Sequence, residues 1–228
     1  MDEQLPTRDE AGRRLATRLL GQRGRDVVVL ALPRGGVPVA AQIARALQAP
    51  LDLLFVRKIG LPWQPELAYA AVVDGNPPEV VINDDVARLE PMSEAELRSA
   101  TLDEIAEIER RRQLYMAGRA PLEVADREVI VVDDGLATGT TARAALQGLR
   151  RRCPARLVLA VPVAPFDTVQ ALAPLVDELV VLETPEPFRA IGLHYRDFHQ
   201  LEDAEVLAIM AEWIRARSGL PVEAPAKK

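Results

Sequence analysis

The chain has 228 residues, 49% hydrophobic and 27% charged, a balance that excludes wholesale disorder and fits one full-size domain with an insertion. Its net charge of −6 argues against broad capture of nucleic acid or an anionic membrane, and the single Cys153 excludes a disulfide framework or a Cys-rich zinc site. With 4% aromatic residues the core must be aliphatic, and with no long apolar run or leader the chain reads as soluble and cytoplasmic.

Thr7 and Glu10 form a capping-box pattern ahead of a helix whose Ala11, Leu15 and Leu19 share a face, with Gly21 as its stop. Val27 to Leu32 is an unbroken apolar run, the signature of a strand covered on both faces. Pro33 to Gly36 breaks it, Val37 to Leu47 reads as a helix, and Leu51 to Val56 as a second strand. Gly60, Pro62 and Pro65 make Ile59 to Pro65 a loop, followed by strands over Leu67–Val73 and Glu79–Ile82. Trp63 at the loop tip is either simply packed or a lid contact.

Ser93 and Glu96 form a second capping box, with Met92 placed to staple against Leu97. The helix it opens runs to about Met116 and gathers Leu97, Leu102, Ile105, Ile108 and Tyr115 on one broad arc. Its Arg110–Arg112 triplet, like Arg150–Arg152 later, reads as solvated surface. Strand and helix alternation resumes with a strand over Glu128–Val132, a helix over Thr140–Arg151, and strands over Leu157–Val161 and Glu178–Leu182. A helix over Asp203–Arg217 places Val206, Met210, Trp213 and Ile214 together, and Gly219 ends it. This order predicts an α/β fold, a mainly parallel sheet flanked by helices. The expected organisation is one domain over 1–220, a helical insertion at 84–118, an irregular segment at 183–200 and a flexible tail at 221–228.

The most informative stretch is Val129 to Thr141. An apolar strand delivers Asp133 and Asp134 to its C-terminal end, where parallel sheets bind ligands. A small-residue loop then opens a helix, whose free N–H groups and dipole favour a phosphate. The hydroxyls of Thr138, Thr140 and Thr141 add donors. A sugar phosphate suits the pair, with hydroxyls at the acids and phosphate in the loop; an acidic strand end capping an ordinary helix is the plainer reading. No Lys stands where a Walker loop needs one, and Gly135 occupies the place of a second phosphatase Asp.

This strand, its Asp133–Asp134 pair and Ala137-Thr138-Gly139-Thr140-Thr141 resemble the phosphoribosyl pyrophosphate signature of type I phosphoribosyltransferases. Pro33-Arg34-Gly35-Gly36 and Arg57-Lys58 agree in chain order, so the resemblance extends over residues 27–200. It implies transfer of ribose 5-phosphate from phosphoribosyl pyrophosphate to a nitrogenous acceptor, releasing pyrophosphate. It also implies that Asp133 and Asp134 are catalytic and hold the ribose, while Ala137, Thr138, Gly139, Thr140 and Thr141 take the 5′-phosphate.

By the same resemblance Arg34, Gly35, Gly36, Arg57 and Lys58 receive pyrophosphate, and the peptide before Arg34 is often cis. Mg²⁺ would be bound mainly by substrate oxygens, with Asp133 as the candidate protein ligand. The 183–200 segment would be a hood over the acceptor, where Phe188, Tyr195 and Phe198 either stack on a base or pack the hood down. His194 and His199 read as structural hydrogen bonders. Ala137 replaces the acid common in enzymes of 6-oxopurines, so hypoxanthine and guanine are expected to be poor acceptors. A homodimer fits; a membrane or nucleic acid partner does not. A regulator of the same fold that senses phosphoribosyl pyrophosphate is the alternative reading.

Overall fold

Two strands, β1 (Val27–Ala31) and β6 (Glu128–Val132), run side by side with every residue of both buried. They pair in parallel from Val27 with Glu128 to Ala31 with Val132. In the computed structural model, which describes residues 4–217, they form the middle of a parallel five-stranded sheet. The outer strands are β2 (Leu51–Leu53) beside β1, then β7 (Arg156–Val163) and β8 (Glu178–Glu183) beyond β6.

Alternate residues serve opposite faces, as strand geometry requires. Val27, Val29, Ala31, Ile130 and Val132 join one core with helices α1 (Arg8–Leu19), α2 (Gly36–Leu47), α4 (Glu94–Met116) and α7 (Asp203–Arg217). Val28, Leu30, Val129 and Val131 join the other with α5 (Thr140–Arg150), which Leu172 of α6 (Phe166–Leu172) completes. Each fully buried Val or Leu contributes roughly 1.5–3 kcal/mol, so a two-faced aliphatic sheet needs few aromatics.

The region after β2 differs from its sequence reading. The strand expected over Leu51–Val56 stops at Leu53, and the expected loop is an antiparallel hairpin of β3 (Val56–Leu61) and β4 (Gln64–Val73), completed by β5 (Glu79–Ile82). Arg57 and Lys58 therefore sit within β3 rather than closing a sheet strand. Gly60 marks a register shift where a Cβ would lie 2.1 Å from the Pro65 carbonyl oxygen. Pro65 is tolerated because β5 pairs with β4 only from Ala70 onward. Trp63, at the two-residue turn, is 62% exposed and not packed.

A short helix, α3 (Asp84–Leu89), leads to α4. Ser93 caps α4 with both halves of the box formed, whereas at α1 only the Thr7 half is present. The Glu10 carboxylate is drawn to Arg13 and Arg14 instead. Leu102 faces solvent, and the inner face belongs to Ile108, Arg112, Tyr115 and Met116.

Arg112 is thus not surface: its guanidinium meets Asp74 at 2.6 Å, Asp52 at 3.3 Å and the Leu53 carbonyl at 3.0 Å, all buried. The second triplet is also engaged, with Arg150 on Asp177, Arg151 on Glu79 and Arg152 on the Asp74 carbonyl. Gly219 and the 221–228 tail lie outside the described residues. No described helix is long and apolar enough to cross a membrane.

Candidate active site

Chain order reverses between β1 and β6: from β1 the chain moves outward to β2, and from β6 outward to β7 and β8. Such a switch point opens a crevice at the C-terminal strand ends. The Pro33–Gly36 turn leaves β1 there, and Asp133–Thr141 leaves β6.

The two segments touch. The Leu32 N–H donates to the Val132 carbonyl at 2.9 Å, and the Pro33–Arg34 peptide is cis. A Cβ at Gly35 would lie 2.1 Å from Asp134 Oδ2, and one at Gly36 would lie 2.5 Å from the Val132 oxygen. Only glycine lets this turn close against the acid pair.

Asp134 is 8% exposed and bonded to Arg8, itself 8% exposed, through Nε–Oδ2 at 2.8 Å. Arg8 also donates to the His199 carbonyl at 2.9 Å and lies 3.9 Å from the Phe198 ring centre. Asp133 is partly exposed, accepts the Asp134 N–H at 2.9 Å, and has no ion pair among the described residues. Although the residue keeps some exposed surface, its carboxyl group is desolvated, which raises it well above the ordinary aspartate value, and the Asp134 charge adds to that rise. Burial raises Asp134 too, opposed by Arg8.

Beyond the acids, Ala137, Thr138 and Thr140 are exposed, Gly139 is buried and Thr141 lies at the first turn of α5. Thr138 and Thr140 hydroxyls are 3.1 Å apart, and Thr168 of α6 donates to the Ala137 carbonyl at 2.7 Å, holding the loop from behind. The first-turn N–H groups of α5 open toward this loop, as helix starts do.

On the opposite side, Arg34 meets Asp203 at the start of α7 at 3.4 Å, and Tyr115 donates to the same carboxylate. Burial, with Asp203 adding, pushes the Tyr115 hydroxyl up to about 12. Arg57 meets Glu104 of α4 at 2.6 Å, and Lys58 is exposed.

The 183–200 segment has one short helical turn, Ile191–His194. Tyr195 is buried and its hydroxyl donates to the Asp134 carbonyl at 2.7 Å. Phe198 lies 5.0 Å from Tyr195, Phe188 stacks on His194 at 5.4 Å, and all three aromatics pack around Leu5, Ala11 and Val163. His199 bonds Asp197 at 3.0 Å and Glu205 at 2.8 Å, and both carboxylates raise its pKa. A cleft of about 320 Å³ lies between Arg8, Arg34, Gly35, Asp134, Phe198 and His199.

The structure thus brings Arg34, Gly35 and Asp134 to one cleft, sets Arg57 beside Pro33 and Thr141 in a second, smaller one, and leaves Lys58 exposed on the hairpin. Arg8 was missed by sequence reasoning. One signal was present, since a cation in the first turn of a helix opposes the dipole and needs another reason to be there.

A family model described as "Phosphoribosyl transferase domain" matches residues 3–171. The chain is 46% identical over 203 residues to "Putative phosphoribosyl transferase Rv0571c" of Mycobacterium tuberculosis H37Rv, and equally to its counterpart MT0597 in strain CDC 1551. These alignments cover 89% of this chain and 45% of either relative, so the chain spans about half the length of the curated relatives it matches. The crystal structure of TT1426 from Thermus thermophilus superposes with a TM-score of 0.80 at 37% identity, covering 92% of this chain and 99% of that one.

Proposed function

The chain belongs to the phosphoribosyl transferase domain family, and on that premise we propose that it transfers ribose 5-phosphate from phosphoribosyl pyrophosphate to a nitrogenous base or related acceptor. The observation that carries this reading is the switch-point crevice, where an acid pair stands between two anion-receptive turns.

In this reading the 5′-phosphate takes the Ala137–Thr141 loop, receiving hydroxyl and backbone N–H donors at the start of α5. Asp133 and Asp134 face the ribose hydroxyls. The pyrophosphate lies along Arg34 and the Gly35–Gly36 amides, with Arg57 and Lys58 approaching from the hairpin. The bond from C1′ to the pyrophosphate oxygen breaks, the oxygen keeps the electron pair, and an acceptor nitrogen bonds C1′ through its lone pair, any proton it carried passing to solvent. Positive charge grows on the ribose ring while negative charge grows on the leaving group. Carboxylates beside the ring and guanidinium and amide donors at the diphosphate match both changes.

The described residues hold no cluster of three metal-ligating side chains, so Mg²⁺ would rest mainly on substrate oxygens, with Asp133 as its one protein ligand. When bound, it would neutralise charge on the diphosphate.

Calorimetric titration with phosphoribosyl pyrophosphate and Mg²⁺, followed by pyrophosphate release across a panel of bases, tests the proposal. Binding with release for at least one base supports transfer. Binding with no release for any base would replace it with the sensor reading, and no binding would remove both.

A further inference from the structure

The three consecutive arginines of α4 have three different fates. Arg112 is buried in its carboxylate pair. Arg110 points outward, its side chain 63% exposed, and bonds Glu107 at 2.7 Å. Arg111 bonds the same Glu107 at 2.7 Å, but its side chain is only 33% exposed. It turns inward onto a cleft of about 30 Å³ whose other walls include Pro33, Val56, Arg57 and Thr141.

Those walls come from the turn after β1, the start of β3 and the first turn of α5. Arg57 and Arg111 therefore line one cleft between the two segments that leave β1 and β6. Both are held in advance: Glu104 fixes Arg57 and Glu107 fixes Arg111, the two acids lying one turn apart on α4. The space matches about one water-sized group, so it takes a single oxygen rather than a ring. An anionic oxygen there would have two arginine side chains within its walls.

We propose that Arg111 is a ligand-binding residue that, with Arg57, receives a terminal phosphate oxygen of the pyrophosphate group. This rests on the placement of pyrophosphate beside Pro33–Gly36 argued above. The inserted helix then does more than cover the sheet: it completes the leaving-group site.

Arg110→Gln and Arg111→Gln form a matched pair, since both remove an exposed or half-exposed partner of Glu107 and neither opens the core. Titrations with inorganic pyrophosphate, phosphoribosyl pyrophosphate and ribose 5-phosphate, each with Mg²⁺, read the difference. Arg111→Gln should weaken the first two by about tenfold or more, the worth of a charge-assisted hydrogen bond, and leave ribose 5-phosphate unchanged. Arg110→Gln should leave all three within about twofold, as expected of an exposed pair. Equal losses in both variants, or none in Arg111→Gln while the parent binds, would overturn this assignment alone. A parent that binds neither pyrophosphate compound would overturn the transferase reading with it.

Discussion

Arg8 and Asp134 stand 126 positions apart in sequence and 2.8 Å apart in the fold, joined where almost no solvent reaches. The first residue of the first helix thereby sets the charge balance at the end of a central strand. Removing one member of such a pair strands the other without compensation. Arg8→Gln should cost about 3 kcal/mol or more, read as a lower urea midpoint at unchanged m-value. A midpoint like the parent's would show that Asp134 does not need this partner.

Asp133 should behave oppositely. Its carboxyl is raised, so the folded chain keeps a proton there at pH values where the unfolded chain has released it. Stability from this group is therefore greatest in acid and falls as pH rises from the ordinary aspartate value through the folded one. Asp133→Asn should raise the melting temperature at pH 8 relative to the parent while abolishing binding of phosphoribosyl pyrophosphate. Loss of both properties together would mean that Asp133 is structural.

Replacing both acids, as Asp133→Asn with Asp134→Asn, should abolish pyrophosphate release while retaining the helical circular dichroism signal. Near-normal release in that double variant would remove the acid pair from the mechanism.

At the phosphate loop, Thr138→Val deletes a hydroxyl that is exposed and already oriented by Thr140. Its loss should weaken phosphoribosyl pyrophosphate and ribose 5-phosphate equally, by roughly three- to tenfold. An unchanged affinity for either would move the phosphate elsewhere.

Acceptor choice gives a further test, because Ala137 offers no carboxylate to a purine N7. Guanine and hypoxanthine should be turned over at least about tenfold more slowly than the best base in a panel, the scale on which a missing polar contact discriminates. Robust guanine turnover would contradict this.

Much of the frame was legible in the sequence. The β1 and β6 runs announce themselves because a strand buried on both faces has no polar alternation, and Ser93 with Glu96 marks its helix start locally. The contiguous Asp133–Thr141 stretch carries its chemistry in one segment. What escaped depends on distant partners. Gly60, Pro62 and Pro65 look like a loop until β5 is known to pair only with the far half of β4. Arg112 looks like surface beside two other arginines until Asp52 and Asp74 are brought to it from elsewhere in the chain. Arg8 is silent for the same reason: nothing near it in sequence names Asp134.

The 183–200 segment, whose Phe198 and His199 line the cleft at Asp134, is fastened by residues 4–6. Leu5 donates to His194 at 2.9 Å and accepts from Arg196 at 2.8 Å, Asp197 donates to the Pro6 carbonyl, and Gln4 reaches Leu193. The opening residues thus act as a clasp. Removing them would loosen the rim of the cleft that carries Phe198 and His199.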